Sequence, residues 1–292
     1  MVNFKSALVL PVLALGLLAG CDKPAEPKAA TPAATAKPAT SYLETIKARD
    51  KLIVGVFSDK PPFGFVNEQG EYVGFDTDLG KRFAKDLLGD EKKIEFVSVE
   101  PASRIPFLQS DKVDLILANM TVTPERSQVV DFTNPNLRVA VQALVADASS
   151  VQKLDDLAGK TTIVTTGTTA DLWLTKNHPD WKLLKFEKNS ESLQALASGR
   201  GDAYAQDNLV LFNWAKQNPG YRVLAEKLGD EAPIAPAVKK GNTELRDWVN
   251  EELAKLGEEK ALLKLYDQYV RKDLPADTDP NLVIVEGGHW KP

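Results

Sequence analysis

Cysteine is nearly absent from this sequence: the chain of 292 residues has one, Cys21. No intramolecular disulfide can form, so the folded state has to rest on packing. Histidine is almost as scarce. The two present, His178 and His289, are far apart and stand in no metal-ligand spacing, so no transition-metal site is expected. Long apolar runs are missing as well. The stretch over residues 7–18 (ALVLPVLALGLL) holds 12 residues, against the roughly 20 that a membrane-spanning helix needs. There is no basic surplus either: the net charge is −5 and the lysines are dispersed, which argues against a nucleic-acid partner. No nucleophile–base pair and no glycine-rich phosphate loop stands out, so no catalytic residue and no cofactor is assigned.

What is present begins at the N-terminus. Lys5 followed by the apolar run has the pattern of a secretory signal over residues 1–20. Leu18-Ala19-Gly20-Cys21 resembles the bacterial lipobox, which implies that Cys21 becomes the first mature residue and carries lipid. Asp22 resembles the signal that retains some lipoproteins at the Gram-negative inner membrane; in a Gram-positive cell the anchor would sit on the outer face of the only membrane. Residues 22–40 contain four prolines and seven alanines, with no aromatic and no branched aliphatic side chain. Such a segment cannot bury enough apolar surface to offset its ordering entropy. Extended at about 3.1 Å per residue, it reaches roughly 60 Å. Residues 21–44 therefore read as a lipidated cysteine and a tether.

The remaining residues, about 250 of them, suffice for one large domain or two lobes. Short apolar runs alternate with helical patterns, which indicates an α/β fold. Strands are expected at residues 52–57 (LIVGVF), 94–99 and 113–118 (VDLILA), with an amphipathic helix from Asp78 and a short one at 103–109. Thr123-Pro124-Glu125 is a helix start, with a hydroxyl cap, proline at the first helical position and then an acid. Past Val139 the pattern restarts, with strand-like runs at 139–146, 160–166, 182–186 and 202–206 and helices beginning near Thr168, Ser190 and Asn208. A further strand is expected at 234–238. Residues 243–270 read as mostly helical, with Trp248, Leu253, Leu256 and Tyr266 facing inward.

Three stretches carry chemistry. In ANMTVTPER, residues 118–126, a buried strand runs into a capped helix that ends on Arg126, whose planar fork matches a carboxylate. In TTGTTA, residues 165–170, a strand turns through glycine into a helix start whose free N–H groups favour an anion. In AQDN, residues 205–208, Asp207 follows a strand and can accept from an ammonium group. Together they supply the partners of a zwitterion, an α-amino acid. Each also has a structural alternative: Thr123 as a plain helix cap, Arg126 as a surface helix residue, Gly167 as turn chemistry, Asp207 as the cap of the next helix.

Taken in order, the pieces resemble the type II periplasmic amino-acid-binding proteins, family 3 of the bacterial extracellular solute-binding proteins. The resemblance rests on VGVFSDKPPFGF, GEYVGFDTDLGKRFAK, ASRIPFLQSDKVDLILANMTVTPERSQVVDFTNP, TTGTTA and GRGDAYAQDN. It implies two α/β lobes joined by two crossings with ligand closed between them: lobe one at 45–138 plus 237–275, lobe two at 139–236, and a tail at 276–292. It also implies roles. Arg126 would pair with the ligand carboxylate, helped by Thr121 and the backbone N–H of Thr169. Asp207 would hold the ammonium with the backbone carbonyl of Asn119, and Phe57 and Phe63 would wall the side-chain region. Arg104 matches an arginine that reaches the distal carboxylate in acidic-amino-acid binders. Those binders usually carry a second cation where this chain has Phe57, which points away from aspartate or glutamate. GVFSDKPPFGF, GTTAD, APAVKKGN and VIVEGG are more similar to the cysteine-binding lipoproteins of the family. The resemblance thus implies a monomeric binding protein in the cell envelope, with an L-amino acid, ABC permease subunits and a lipid-anchored membrane contact as partners. A periplasmic dehydratase on the same lobes is the rival reading.

Overall fold

The computed structural model describes residues 41–290. The signal segment, Cys21 and residues 22–40 lie outside the described residues. The body opens with helix Tyr42–Arg49, capped by Ser41, whose hydroxyl accepts from the Glu44 N–H at 3.2 Å. Ile46 is fully buried and Tyr42 and Leu43 pack on the same core. Residues 42–44, which composition alone assigns to the tether, therefore belong to the body.

Two five-stranded sheets follow one plan. The first runs Ile94–Ser98, Leu52–Val56, Leu115–Ile116, Ala237–Lys239, Val130–Phe132. Its first three strands are parallel, and Ala237–Lys239 is antiparallel to both neighbours. The second runs Lys182–Phe186, Thr161–Thr165, Ala203–Asp207, Val141–Ala146, Tyr221–Val223. Again three strands are parallel, and Val141–Ala146 is antiparallel to both neighbours. Central strands of this kind are covered on both faces and read as unbroken apolar runs, which is why LIVGV stands out in the sequence.

Helix Phe75–Leu88 begins three residues before the periodicity suggests. Gly74 precedes it at φ 128°, and a Cβ there would lie 2.4 Å from the Phe63 carbonyl oxygen. Phe75, Leu79 and Phe83, at i, i+4 and i+8, form its buried stripe. Each such side chain contributes about 1.5–3 kcal/mol on burial. The helical stretch at 243–270 is two helices, Thr243–Glu258 and Ala261–Tyr269, broken where Lys260 takes φ 52°. Leu253, Leu256 and Tyr266 are buried in the first lobe's core, with Trp248 partly buried against it.

The chain leaves the first sheet through strand Leu137–Val139 and returns through Ala232–Ile234, and these two crossings pair antiparallel with each other. The tail meets this pair through residues 283–285 and Trp290. Ile284 bridges Leu137, the Arg138 N–H donates to the Val283 carbonyl at 2.7 Å, and the Val285 N–H donates to that of Asn136 at 3.0 Å. The Glu286 carboxylate accepts from the free N–H groups of Leu262 and Leu263 at the start of a helix. The Arg138 guanidinium lies 4.8 Å from the centre of the Trp290 ring. The tail is thus a strap on the crossing strands.

Candidate functional site in the cleft

Arg126 sits on the short helix Pro124–Ser127, where the Thr123 hydroxyl accepts from its backbone N–H at 3.2 Å. The cap fixes the first turn and aims the guanidinium inward, so Thr123 serves as the cap while Arg126 is no surface residue: it is 6% exposed. Nη1 donates to the Thr121 carbonyl at 2.8 Å, and Nη2 donates across the cleft to the Gly167 carbonyl at 3.1 Å. Burial pushes the Arg126 pKa down to about 10, with Asp207 and Glu125 pulling the other way, so it stays charged at neutral pH.

The second lobe supplies the facing groups. Strand Thr161–Thr165 turns at Gly167 into helix Thr169–Asn177, capped by Thr168 through a bond from the Asp171 N–H at 3.2 Å. Thr169 opens that helix, where N–H groups have no intrahelical partner. Asp207 ends strand Ala203–Asp207 and precedes helix Asn208–Gln217, yet its side chain makes no capping bond. It is 3% exposed, and its Oδ1 has no hydrogen-bond partner. The capping alternative is therefore wrong. A buried carboxylate oxygen left open is costly, and it marks a place for a donor.

Thr121, Arg126, Thr169 and Asp207 line one cleft of about 650 Å³, together with Leu172 and Trp173. Phe57, Phe63, Arg104 and Asn119 are not on that wall; the first three gather around a residue that sequence reasoning missed, Lys60. Lys60 is 2% exposed. Its Nζ lies 3.4 Å from Gln206 Oε1, 3.5 Å from Asp207 Oδ2, and 5.1 and 6.0 Å from the ring centres of Phe57 and Phe63. The Arg104 guanidinium is 5.6 Å from the Phe57 ring centre. The expectation that Phe57 leaves this region with one cation is corrected, because Lys60 brings a second one over the same ring. Burial pulls the Lys60 pKa down, with Asp207 opposing.

Arg104 also has framework duties. Its Nε donates to the Pro101 carbonyl at 3.0 Å, and Nη1 donates to those of Ala118 and Asn119 at 3.0 and 3.1 Å. The Asn119 carbonyl thus already accepts one bond, while both side-chain atoms of Asn119 are buried without a partner. Asp76, also missed, accepts from the Asn119 N–H at 2.8 Å. Burial raises the Asp76 pKa to about 7, against that hydrogen bond and the nearby charges of Lys60 and Arg104.

The lobes touch closely at Gly167. It has φ +79°, and a Cβ built on it would lie 2.9 Å from Ala102 Cα and 3.0 Å from Ala102 N, on the opposite lobe. Gly167→Ala is expected to act twice. Left-handed strain of about 1–2 kcal/mol lowers stability in any state. The clash, costing about 1–3 kcal/mol, is felt only when the lobes are shut, which predicts a ligand Kd raised roughly 5- to 150-fold. A calorimetric titration with unchanged Kd would show that this contact does not form in the bound state.

A model of the bacterial extracellular solute-binding proteins, family 3, matches residues 52–272. The chain belongs to that family. Among solved family 3 structures it is similar to the cysteine-binding protein of Campylobacter jejuni, at 43% identity and a TM-score of 0.83, over 84% of this chain and 99% of that one. It is similar to the L-cysteine solute receptor of Neisseria gonorrhoeae to the same 43% and the same coverage, with a TM-score of 0.81. The ABC transporter glutamine-binding protein of Bacillus subtilis is 34% identical over 274 residues, 93% of this chain and 98% of that protein. As in these family 3 relatives, the fold is the two-lobe type II form.

Proposed function

We propose that this chain is the substrate-binding lipoprotein of an amino-acid ABC importer, which captures an L-amino acid, cysteine above others, by closure of its lobes. The observation that carries the reading is the pairing of Arg126 on one lobe with Asp207 on the other, both buried on one cleft, Asp207 with an open acceptor. That is the complement of a zwitterion, available in full only when the cleft is shut. In this reading Arg126, Thr121 and the Thr169 N–H take the carboxylate, Asp207 and the Asn119 carbonyl take the ammonium, and Phe57, Phe63 and Arg104 face the side chain. Relatives named for glutamine and for cysteine support an amino-acid ligand, and the two named for cysteine favour that side chain. The protein works as a monomer in the cell envelope, delivers its ligand to permease subunits and performs no chemistry on it.

A thermal-shift screen over the twenty amino acids and cystine tests this. A ligand at 100 times its Kd stabilises by about 2.7 kcal/mol. L-cysteine is expected to give the largest shift, and no shift with any amino acid would overturn the reading. The anchor has its own test. Cys21→Ser is expected to leave the melting curve unchanged while moving the protein from the membrane fraction to the soluble one. A variant that stays on membranes through a salt wash would remove Cys21 as the lipid site.

A further inference from the structure

We infer that Lys60, acting with Arg104, determines specificity by binding the ligand side chain as an anion, so that L-cysteine is held as its thiolate. The inference rests on the amino-acid-binding reading and deepens it.

Hydrogen-bond capacity left over beside the cleft, around the Lys60 partner Asp207 that lines it, carries the argument. The Lys60 ammonium has three N–H donors, and two face Gln206 Oε1 and Asp207 Oδ2. Arg104 has five, of which Nε and Nη1 reach the carbonyls of Pro101, Ala118 and Asn119; Nη2 donates to nothing among the described residues. Both cations lie within 6 Å of the centre of the Phe57 ring, so their spare donors converge on one apolar wall. On the other side stand two open acceptors, the amide Asn119 Oδ1 and the carboxylate Asp207 Oδ1. An α-ammonium fills the carboxylate acceptor and an α-carboxylate meets Arg126. The donors beside Phe57 then still lack a partner.

Charge points the same way. The buried charged side chains gathered here are Lys60, Arg104 and Arg126 against Asp76 and Asp207. The other acid bearing on Lys60 is the part-buried Asp59, whose Oδ2 accepts the Ser190 N–H at 2.9 Å. A cationic side chain placed among three buried cations is repelled, whereas an anion supplies the missing counter-charge. A thiolate is small, polarisable and at ease against an aromatic ring. Its formation breaks only the S–H bond, and the proton passes to the buffer.

Full-length protein under reducing conditions, titrated at pH 7 with L-cysteine in two buffers of different ionisation enthalpy, reads that proton directly. A free thiol of pKa about 8.5 is almost wholly protonated at this pH, so close to one proton is expected to be released, with L-serine as the baseline that releases none. Lys60→Met is expected to lower the ratio of cysteine to serine affinity at least tenfold, and Lys60→Arg to retain most of it. The ratio is the readout because freeing Asp207 alters the ammonium site equally for both ligands. The wild-type measurement stands without any variant. Cysteine binding with no more proton release than serine, or an unchanged ratio in Lys60→Met, overturns the inference while leaving amino-acid binding intact. Failure of the wild type to bind any amino acid overturns both.

Discussion

Asp207→Ala is expected to weaken both the ligand complex and the empty protein. In the complex it removes the only buried acidic side chain among the described residues that line the cleft. In the empty protein, whenever its lobes are shut, it leaves Lys60, 2% exposed, without its ion-pair partner at 3.5 Å. Removing one member of a buried pair typically costs about 3–5 kcal/mol, because the other charge stays desolvated. The penalty has a pH signature. Burial depresses the Lys60 pKa in the folded protein, while the unfolded side chain holds its proton to about pH 10.4. Between those limits the unfolded state binds more protons, so stability rises with pH. Loss of Asp207, which opposes the depression, widens the window. The variant should therefore melt well below the wild type at pH 7 and recover part of the difference by pH 10. Melting curves that coincide at pH 7 would show that the Lys60–Asp207 pair carries no stability.

Arg126→Ala is the second large effect. Truncating one partner of a buried charged pair costs roughly 2–5 kcal/mol, or about 30-fold to several thousandfold in affinity. The variant also loses the bond that Arg126 makes across the cleft to the Gly167 carbonyl, so part of the loss should appear as poorer closure. Calorimetric titration with the best ligand from the thermal screen measures it, and near-wild-type affinity would end the carboxylate assignment. Arg104→Ala is a blunter instrument. It strips the carbonyls of Pro101, Ala118 and Asn119 of their donor, so its effect mixes framework with ligand.

Arg126 and Asp207 are legible in the sequence because their placement follows local rules. A capped helix start after an apolar strand fixes where a guanidinium emerges, and a strand end fixes where a carboxylate emerges. Lys60 is not legible. It stands in SDKPPF, where lysine beside a proline pair reads as an exposed turn, and lysine is rarely buried without a partner. Its partner lies 147 residues away on the other lobe. Asp76 misleads for another reason. An acid in the first turn of a helix usually complements the helix dipole at the surface, whereas here the turn is buried and the carboxylate accepts from Asn119. Turn chemistry is the structural alternative for Gly167, and its positive φ agrees with it; the close approach of Ala102 depends on how the lobes meet and has no local signal. The alternation of strands and helices, by contrast, identified the fold class, because central strands buried on both faces announce themselves as apolar runs.

The strap formed by the C-terminal residues makes the end of the chain an optical probe of the hinge. Trp290 stacks on Arg138, a residue of the crossing strand Leu137–Val139 itself. Any bend of that strand changes the distance between a positive charge and an indole ring, and with it the indole's emission. In a variant whose other four tryptophans are replaced by phenylalanine, a ligand that shuts the cleft can then be followed by the fluorescence of Trp290 without attaching a dye.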